Sequence, residues 1–419
     1  MLRAYRELFT APGSFIFSSA GFIARMPISM TGIGLVTMIA QMRGEYGLAG
    51  AIAATFALAS ALLAPQVSRL VDRMGQSRVL RPAAALSIIS ILALLLCARL
   101  GAPDWTLFLF AVMAGCMPSM PAMVRARWTE LYRGSPKLHT AYSFESVVDE
   151  ICFIIGPVIS VGLCVSVFPE AGPLAACLFM AFGIVVFTLH KGSEPAVQPQ
   201  HNASQGAVFQ IGALRLLALT LAAIGTIFGT VDVVSVAFAE QQGNTLAASY
   251  VLSVYAIGSC LAGLIFGTLK INMPLFRQFA IAVSLSMVTL LPLFFVNNLI
   301  TLAITVFFSG MSVAPTMIIT MGLVEKIVPG HQLTEGMTWA TTGLGIGVAL
   351  GSAIAGWVVD HFGVHMGFMV AIAAGVLALG IMAGGYKALC SAYNLAAVRY
   401  DRVSGYPIDL QSNRTSDYC

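Results

Sequence analysis

The stretch VLRPAAALSIISILALLLCARL, residues 79–100, decides the fold class. It contains no charged residue between Ala83 and Ala98. About 20 consecutive apolar residues in a helix cross the ~30 Å hydrocarbon core of a bilayer. Eleven further apolar stretches of comparable length occur along the chain. The sequence therefore predicts an all-α membrane protein with twelve transmembrane helices.

The composition supports an integral membrane protein. Of 419 residues, 58% are hydrophobic and 10% are charged, whereas soluble domains carry about 25% charged residues. The mean hydropathy is +0.87. A net charge of +4 is too small to suggest a nucleic-acid partner. The eight cysteines show no metal-binding spacing, so neither a metal nor a cofactor is expected.

The basic residues predict the orientation of the twelve helices. With the N-terminus inside, the outer loops hold only Arg43 and Arg99, and Arg25 lies within a helix. All other lysines and arginines, Arg125 and Arg127 among them, then lie on the inner side, as the positive-inside rule requires. We therefore expect a multi-pass protein of the plasma membrane (the inner membrane of a bacterium) with both termini cytoplasmic. The predicted helices are 14–40, 47–68, 79–100, 105–124, 141–168, 172–190, 213–239, 246–269, 278–296, 299–324, 335–359 and 364–386.

A polar stretch divides the chain into two halves. Residues 191–212, KGSEPAVQPQHNASQGAVFQIG, predict a cytoplasmic linker between an N-terminal six-helix bundle, 1–190, and a C-terminal six-helix bundle, 213–387. A cytoplasmic tail, 388–419, follows. A shift of 195 residues places Gly115 on Gly310, which suggests two pseudo-symmetric bundles. Because one chain contains both halves, a monomer suffices.

The loop after the second predicted helix carries a family resemblance. RLVDRMGQSRVL, residues 69–80, resembles the signature between helices 2 and 3 of the major facilitator superfamily, and Leu70, Asp72, Arg73 and Gly75 match it. Ser68 stands where the family usually has glycine. The resemblance implies the twelve-helix transporter fold and a cytoplasmic gate at Asp72, Arg73 and Gly75. The alternative is a solvated basic loop that only sets topology.

The fifth predicted helix carries a second motif. GPVISVG, residues 156–162, resembles the signature of drug/proton antiporters of this superfamily through Gly156 and Pro157, whereas Ser160 and Val161 replace the usual glycine pair. The resemblance favours export. Ordinary close packing of helices is the alternative, and it is also expected for the glycines at 343, 345, 347, 351 and 356 of the eleventh helix.

Charged residues inside predicted helices mark the candidate site, because buried charge in a membrane is costly. Glu145 and Asp149 are four residues apart and share a helix face. We expect Arg25 to pair with Asp149, with Glu145 or with both. Two carboxylates that share one arginine need not both be ionised, so the cluster can carry a proton. The alternatives are a structural ion pair and, for Glu145, hydration at the cytoplasmic interface.

Two further carboxylates have separate interpretations. Asp232 on the seventh helix is either a second protonation site, a site for a cationic substrate, or a carboxyl group that is kept neutral or hydrogen-bonded to a nearby threonine or serine. Glu335 is expected in the first turn of the eleventh helix, with Thr334 as the N-cap.

The function expected from these features is secondary active transport by alternating access. We expect a small-molecule substrate, transport that is coupled to protons, and a lipid bilayer around the protein. The favoured hypothesis is export of a small amphipathic molecule. The alternatives are uptake of a sugar or organic anion and a non-transporting sensor on the same fold. The chain shows no phosphate-binding loop and no catalytic constellation, so an enzyme is not expected.

Overall fold

The computed structural model of the protein describes residues 2–44, 46–197, 208–243, 246–269 and 271–404. Helices account for the regular structure of these ranges, with short 3-10 helices at Val208–Gln210, Leu291–Phe295 and Gly330–Gln332. The α-helices are α1 Leu2–Leu8, α2 Ser14–Arg43, α3 Tyr46–Met74, α4 Gln76–Arg99, α5 Asp104–Ala114, α6 Met120–Tyr132, α7 Lys137–Ser166, α8 Ala171–Leu189, α9 Gly212–Gln241, α10 Leu246–Phe266, α11 Leu275–Val288, α12 Leu299–Gly310, α13 Val313–Ile327, α14 Leu333–Phe362 and α15 Val364–Ser404.

The predicted twelve-helix architecture is confirmed. In the described part of the chain, ten helical segments are long and apolar enough to cross a membrane, and two shorter apolar segments, Asp104–Ala114 and Tyr250–Phe266, stand at the fourth and eighth positions. The fourth span comprises α5 and α6, and the tenth comprises α12 and α13. Helix α1, which precedes the first span, has no counterpart in the predicted set.

The two broken spans stand at corresponding positions in the two halves. Gly115 ends α5 where a Cβ would come within 2.8 Å of the backbone of Ala59 on α3. Gly310 ends α12 where a Cβ would meet the backbone of Tyr255 on α10. The shift of 195 residues that aligns these glycines in sequence therefore aligns the same local arrangement.

Several predicted boundaries need correction. Helix α3 continues to Met74, so Asp72 and Arg73 lie in its last turn rather than in a loop. Helix α6 continues to Tyr132, so Arg125 and Arg127, assigned above to an inner loop, are helical. Helix α15 runs through the predicted start of the tail as far as Ser404, and residues 405–419 lie outside the described ranges.

The chain forms two compact units, residues 1–200 and 201–419. Their division falls within the predicted linker, of which residues 198–207 lie outside the described part. In the first unit α2 packs against α3, α7 and α8. In the second unit α9 packs against α10, α14 and α15. The first span of each unit, α2 or α9, thus contacts the second, fifth and sixth spans of its own unit.

Glycines allow the closest helix pair of the second unit to form. A Cβ at Gly343, Gly347 or Gly351 of α14 would overlap the backbone of α9. These residues recur every fourth position and share one face. Gly345 and Gly356 have open space around the Cβ position, so their assignment to the packing face is wrong.

Candidate functional site

A buried ion-pair network lies inside the first unit, where α2, α6 and α7 meet. Its centre is Arg25 of α2, which is 2% exposed. Arg25 Nη1 donates to Asp149 Oδ1 at 2.7 Å, and Nη2 donates to Glu145 Oε2. Arg25 Nε donates to the carbonyl of Gly21 at 3.3 Å. The predicted pairing of Arg25 with both carboxylates is confirmed.

Glu145 is the fully buried carboxylate of the network. Its side chain is 1% exposed, so the predicted alternative of a hydrated group at the interface is wrong. Besides Arg25, it accepts a hydrogen bond from Trp128 Nε1 at 2.6 Å and one from Ser18 Oγ at 3.5 Å. These donors satisfy an ionised carboxylate that has lost its water.

Asp149 is the accessible carboxylate of the network, with a side chain that is 22% exposed. Its Oδ2 accepts from Arg125 Nη2 at 2.7 Å, while its Oδ1 accepts from Arg25. Arg125 on α6 is fully buried. The network therefore contains two guanidinium groups and two carboxylates: Arg25 bonds both acids as expected, and Arg125 is a second cation that the sequence analysis did not include.

Local sequence brings the three helices together. Glu145 and Asp149 face the same way from α7 because they are one turn apart. A Cβ at Gly156 would come within 3.0 Å of Ser29 Cβ, so glycine there lets α2 approach α7. Ser29 Oγ donates to the carbonyl of Cys152 at 2.8 Å across the same contact. Pro157 lies inside α7, and whether the pair has any role beyond packing stays a prediction.

Sequence reasoning missed Arg125 and Trp128. Both lie beyond residue 124, where the fourth predicted helix ended. In the structure α6 starts after a break that holds Pro118, and it carries the apolar segment further along the chain. The spacing of three residues places Arg125 and Trp128 on one helix face, but no pattern within the sequence of α6 identifies that face as buried.

Helix α1 covers the end of this network. Tyr5, Leu8 and Phe9 lie on one side of the segment, and Leu8 is fully buried. The Phe9 ring packs edge-on against Trp128 at 6.0 Å and against Phe144 at 5.4 Å, measured between ring centroids. Burial raises the pKa of the Tyr5 hydroxyl to about 12. The residue that bonds Glu145 is thus itself covered by the N-terminal segment.

The predicted gate residues lie at the turn between α3 and α4. Gly75 has φ 92°, a left-handed conformation that favours glycine. Asp72 is half-buried and Arg73 is exposed. Glu194, from the segment after α8, accepts from the amide of Ser77 at 2.8 Å. The turn is thus held by its own unit, and its action as a gate stays a prediction.

Arg127 supports this turn from α6. It is fully buried, and its Nε donates to Gln76 Oε1 at 2.8 Å. Its Nη1 donates to the carbonyl of His190 at 2.7 Å, and its guanidinium lies 3.8 Å from the ring centroid of Phe187. Neither Arg127 nor Arg125 occupies a loop, so neither should be counted when the orientation is judged from basic loops.

The remaining candidates lie in the second unit. Asp232 of α9 is exposed and makes no hydrogen bond or ion pair with any residue that the structure describes. Its proposed bond to a threonine is therefore wrong for this conformation, since Thr230 Oγ1 donates to the backbone. Gln332, not Thr334, occupies the N-cap of α14, and Glu335 lies buried in its first turn. Among described residues, no group of three His, Cys, Asp or Glu could hold a metal ion.

Comparisons with known proteins identify the fold. A sequence model of the Major Facilitator Superfamily matches residues 17–299 and 217–387. A search of curated protein sequences gives no match. Solved structures that share the fold include a bacterial homologue of the iron transporter ferroportin in an outward-facing state, which is 13% identical with a TM-score of 0.71 over 90% of this chain and 99% of that one.

Two further similar structures are transporters of different solutes. The E. coli fucose:proton symporter FucP is 14% identical with a TM-score of 0.66 over 89% of this chain and 98% of that one. The human organic anion transporter MFSD10 is 14% identical with a TM-score of 0.64 over 88% and 97%. Identities this low support the fold alone. Because the family model spans most of the chain, the protein belongs to the Major Facilitator Superfamily and is a transporter rather than an enzyme.

Proposed function

We propose that this transporter is proton-coupled, works by alternating access and exports a small amphipathic molecule, with Asp149 as the group that takes up and releases the proton. The observation that carries the proposal is the position of Asp149. It is the accessible acid of a buried network, and each of its two oxygens accepts from a different guanidinium.

Protonation of Asp149 changes the charge of the network. With both acids ionised, two guanidinium groups and two carboxylates cancel. A proton on Asp149 leaves one positive charge in excess and weakens two charge-assisted hydrogen bonds. Arg25 keeps Glu145 as its partner, whereas Arg125 loses its carboxylate. A charge imbalance inside a low-dielectric bundle is costly, and this cost links proton uptake to rearrangement.

Export is proposed from the resemblance at Gly156 and Pro157 to drug/proton antiporters. A second candidate is proton-coupled uptake of a specific metabolite, an organic anion in particular. The second buried guanidinium favours it, since Arg125 provides positive charge next to the accessible acid. The similar structures include both an organic anion transporter and a proton symporter, and either candidate uses the same network.

The cellular setting belongs to the same proposal. We place the transporter in the plasma membrane, the inner membrane in a bacterium, as a monomer with both termini in the cytoplasm. Asp72, Arg73 and Gly75 then lie at the cytoplasmic end of the first unit, where the signature turn can act as a gate.

The test compares the wild type with Asp149→Asn in a bacterium that lacks its main efflux pumps. Growth inhibition is measured with a panel of antibiotics, dyes and toxic metabolites at two external pH values. We expect protection by the wild type, greater at the lower external pH, and none by Asp149→Asn. Asp360→Asn, which removes an exposed carboxylate of α14, is the matched control and should protect fully.

Each other outcome has a defined meaning. Full protection by Asp149→Asn would remove Asp149 from proton coupling. Protection that is independent of external pH would reject the proton as the driving ion. If the wild type protects against nothing while the purified protein is folded, uptake replaces export as the function to test, with radiolabelled organic acids as the substrates.

A further inference from the structure

We propose that Arg125 is the binding residue for an anionic group of the transported molecule, and that this group occupies Arg125 when Asp149 is protonated. The transported molecule is then an organic acid with a carboxylate or a group of similar size and charge. The inference rests on the proposed role of Asp149 as the proton carrier, and it names the substrate class of that site.

The contacts of Arg125 leave it incompletely satisfied. Its strong bond is the one from Nη2 to Asp149 Oδ2 at 2.7 Å. Its other bonds are long: Nη2 to Ser146 Oγ at 3.5 Å, and Nη1 to the carbonyl of Pro121 at 3.4 Å. Its Nε is buried and has no hydrogen-bond partner among the described residues. A guanidinium has five N–H donors in a planar fork, and two of them, the Nε–H and one N–H of Nη1, have no acceptor among the described residues.

Arg25 and Arg125 differ in the hydrogen-bond partners that they keep after Asp149 is protonated. Arg25 keeps an ionised and fully buried partner in Glu145. Arg125 keeps only the hydroxyl of Ser146 and a backbone carbonyl. A guanidinium does not lose its proton under physiological conditions, so the excess positive charge stays on Arg125. A carboxylate matches the guanidinium fork with two parallel hydrogen bonds and would restore neutrality.

In the part of the chain that the structure describes, the cations paired with Asp149 are Arg25 and Arg125. Its own helix α7 is packed against α1, α2, α6 and α8. Helices α2 and α6 bring Arg25 and Arg125. Helix α8 has no charged residue, and α1 faces α7 through Tyr5 while its charged side chains are exposed. On α7 itself, Glu145 is committed to Arg25 and Trp128, and the neighbouring thiol of Cys152 is buried.

The coupling that follows is symport of a proton with an anion. Because the anion binds where Asp149 is neutral, both are carried in the same direction rather than exchanged. A monocarboxylate and a proton together carry no net charge, so the step is electroneutral. This coupling corresponds to the second candidate function, uptake of an organic anion, and it predicts less protection at the lower external pH, where proton-driven export predicts more.

The test uses the purified full-length protein and acetate, the smallest probe that carries a carboxylate and a methyl group. Asp149→Asn imitates the protonated acid and leaves Arg125 without a carboxylate. We expect acetate to raise the melting temperature of Asp149→Asn at pH 8 by about 2–4 °C once it exceeds its dissociation constant roughly fivefold. Acetamide, the neutral analogue, should have no effect at the same ionic strength, which is set with sodium chloride.

Two comparisons complete the test. The wild type, in which Asp149 accepts from Arg125, should not respond to acetate at pH 8. Asp149→Asn/Arg125→Gln should not respond either. The inference is overturned if acetate and acetamide act alike on Asp149→Asn, or if the double variant responds as strongly as the single one. The acetate and acetamide comparison needs no Arg125 variant, so misfolding of the double variant leaves the inference testable.

These results separate the inference from the proposed function. If Asp149→Asn abolishes pH-dependent transport but acetate binds no better than acetamide, the role of Asp149 in proton coupling is supported and the anion site at Arg125 is rejected. If acetate stabilises Asp149→Asn while wild-type transport is independent of pH, the anion site at Arg125 is supported and the role of Asp149 in proton coupling is rejected.

Discussion

Replacing Arg25 with methionine should destabilise the first unit severely, because it leaves a buried carboxylate without its cation. In the Arg25→Met variant, Asp149 still has Arg125 at 2.7 Å. Glu145, with a side chain that is 1% exposed, keeps only Trp128 Nε1 and Ser18 Oγ. Breaking a buried ion pair by removing one partner costs about 3–5 kcal/mol, and the larger part of it should come from Glu145.

The magnitude can be read as a melting temperature. In a unit of this size, 1 kcal/mol corresponds to about 2–4 °C, so the loss for Arg25→Met should be about 6–20 °C. The assay is the folded fraction of detergent-purified protein after heating, followed by size-exclusion chromatography. Arg43→Met on the same helix is the control: Arg43 is 24% exposed and lies 3.9 Å from Asp104, and surface pairs contribute about 0–1 kcal/mol.

A double variant identifies the cause. Arg25→Met/Glu145→Gln removes both charges and keeps an acceptor for Trp128, so most of the lost stability should return. The coupling between the two changes should exceed roughly 2 kcal/mol, a value typical of residues in direct contact. If Arg25→Met melts no lower than Arg43→Met, or if the double variant is no more stable than the single one, then Glu145 is not held as a buried anion and the description of the network is wrong.

Two further predictions concern packing and capping. Gly347→Ala should destabilise the folded protein by about 1–3 kcal/mol, because the added Cβ would overlap the backbone of α9. Gly345→Ala is the control and should be neutral, because the space around its Cβ position is open. The melting temperatures of the two variants in detergent measure the difference. Glu194→Ala should remove the acceptor for the Ser77 amide, cost about 1 kcal/mol and speed hydrogen exchange at the start of α4, while melting of the second unit stays unchanged.

The twelve-span fold was predictable because it depends on apolar length alone. The contact between Arg25 and the carboxylates of α7 was also predictable, because a charge inside a span needs a partner and the spacing of Glu145 and Asp149 gives them one face. Arg125 was not, because the fourth span is broken and its continuation beyond residue 124 contains enough basic residues to resemble a loop. Its burial depends on neighbours from α7 that periodicity within α6 does not reveal.

The glycines of α14 illustrate a second limit. Composition identifies a helix rich in glycine, but only the facing backbone shows that Gly343 and Gly347 are in contact and that Gly345 is not. In the same way, the covering of Trp128 by Phe9 joins residues more than a hundred positions apart. Such contacts depend on tertiary packing, which the sequence pattern of a single helix does not contain.

The distance along the chain between Arg25 and its partners has a consequence for how the protein is made. Glu145 follows Arg25 by 120 residues, and at about 5–20 residues per second the ribosome needs roughly 6–24 s to add them. During that interval the first span has been synthesised and its arginine has no carboxylate from α7. Helix α1 has to wait for the same helix before Phe9 can reach its place against Phe144. The network can therefore assemble only after the fifth span has been made, and the N-terminus, although synthesised first, is among the last parts of its unit to reach its final packing.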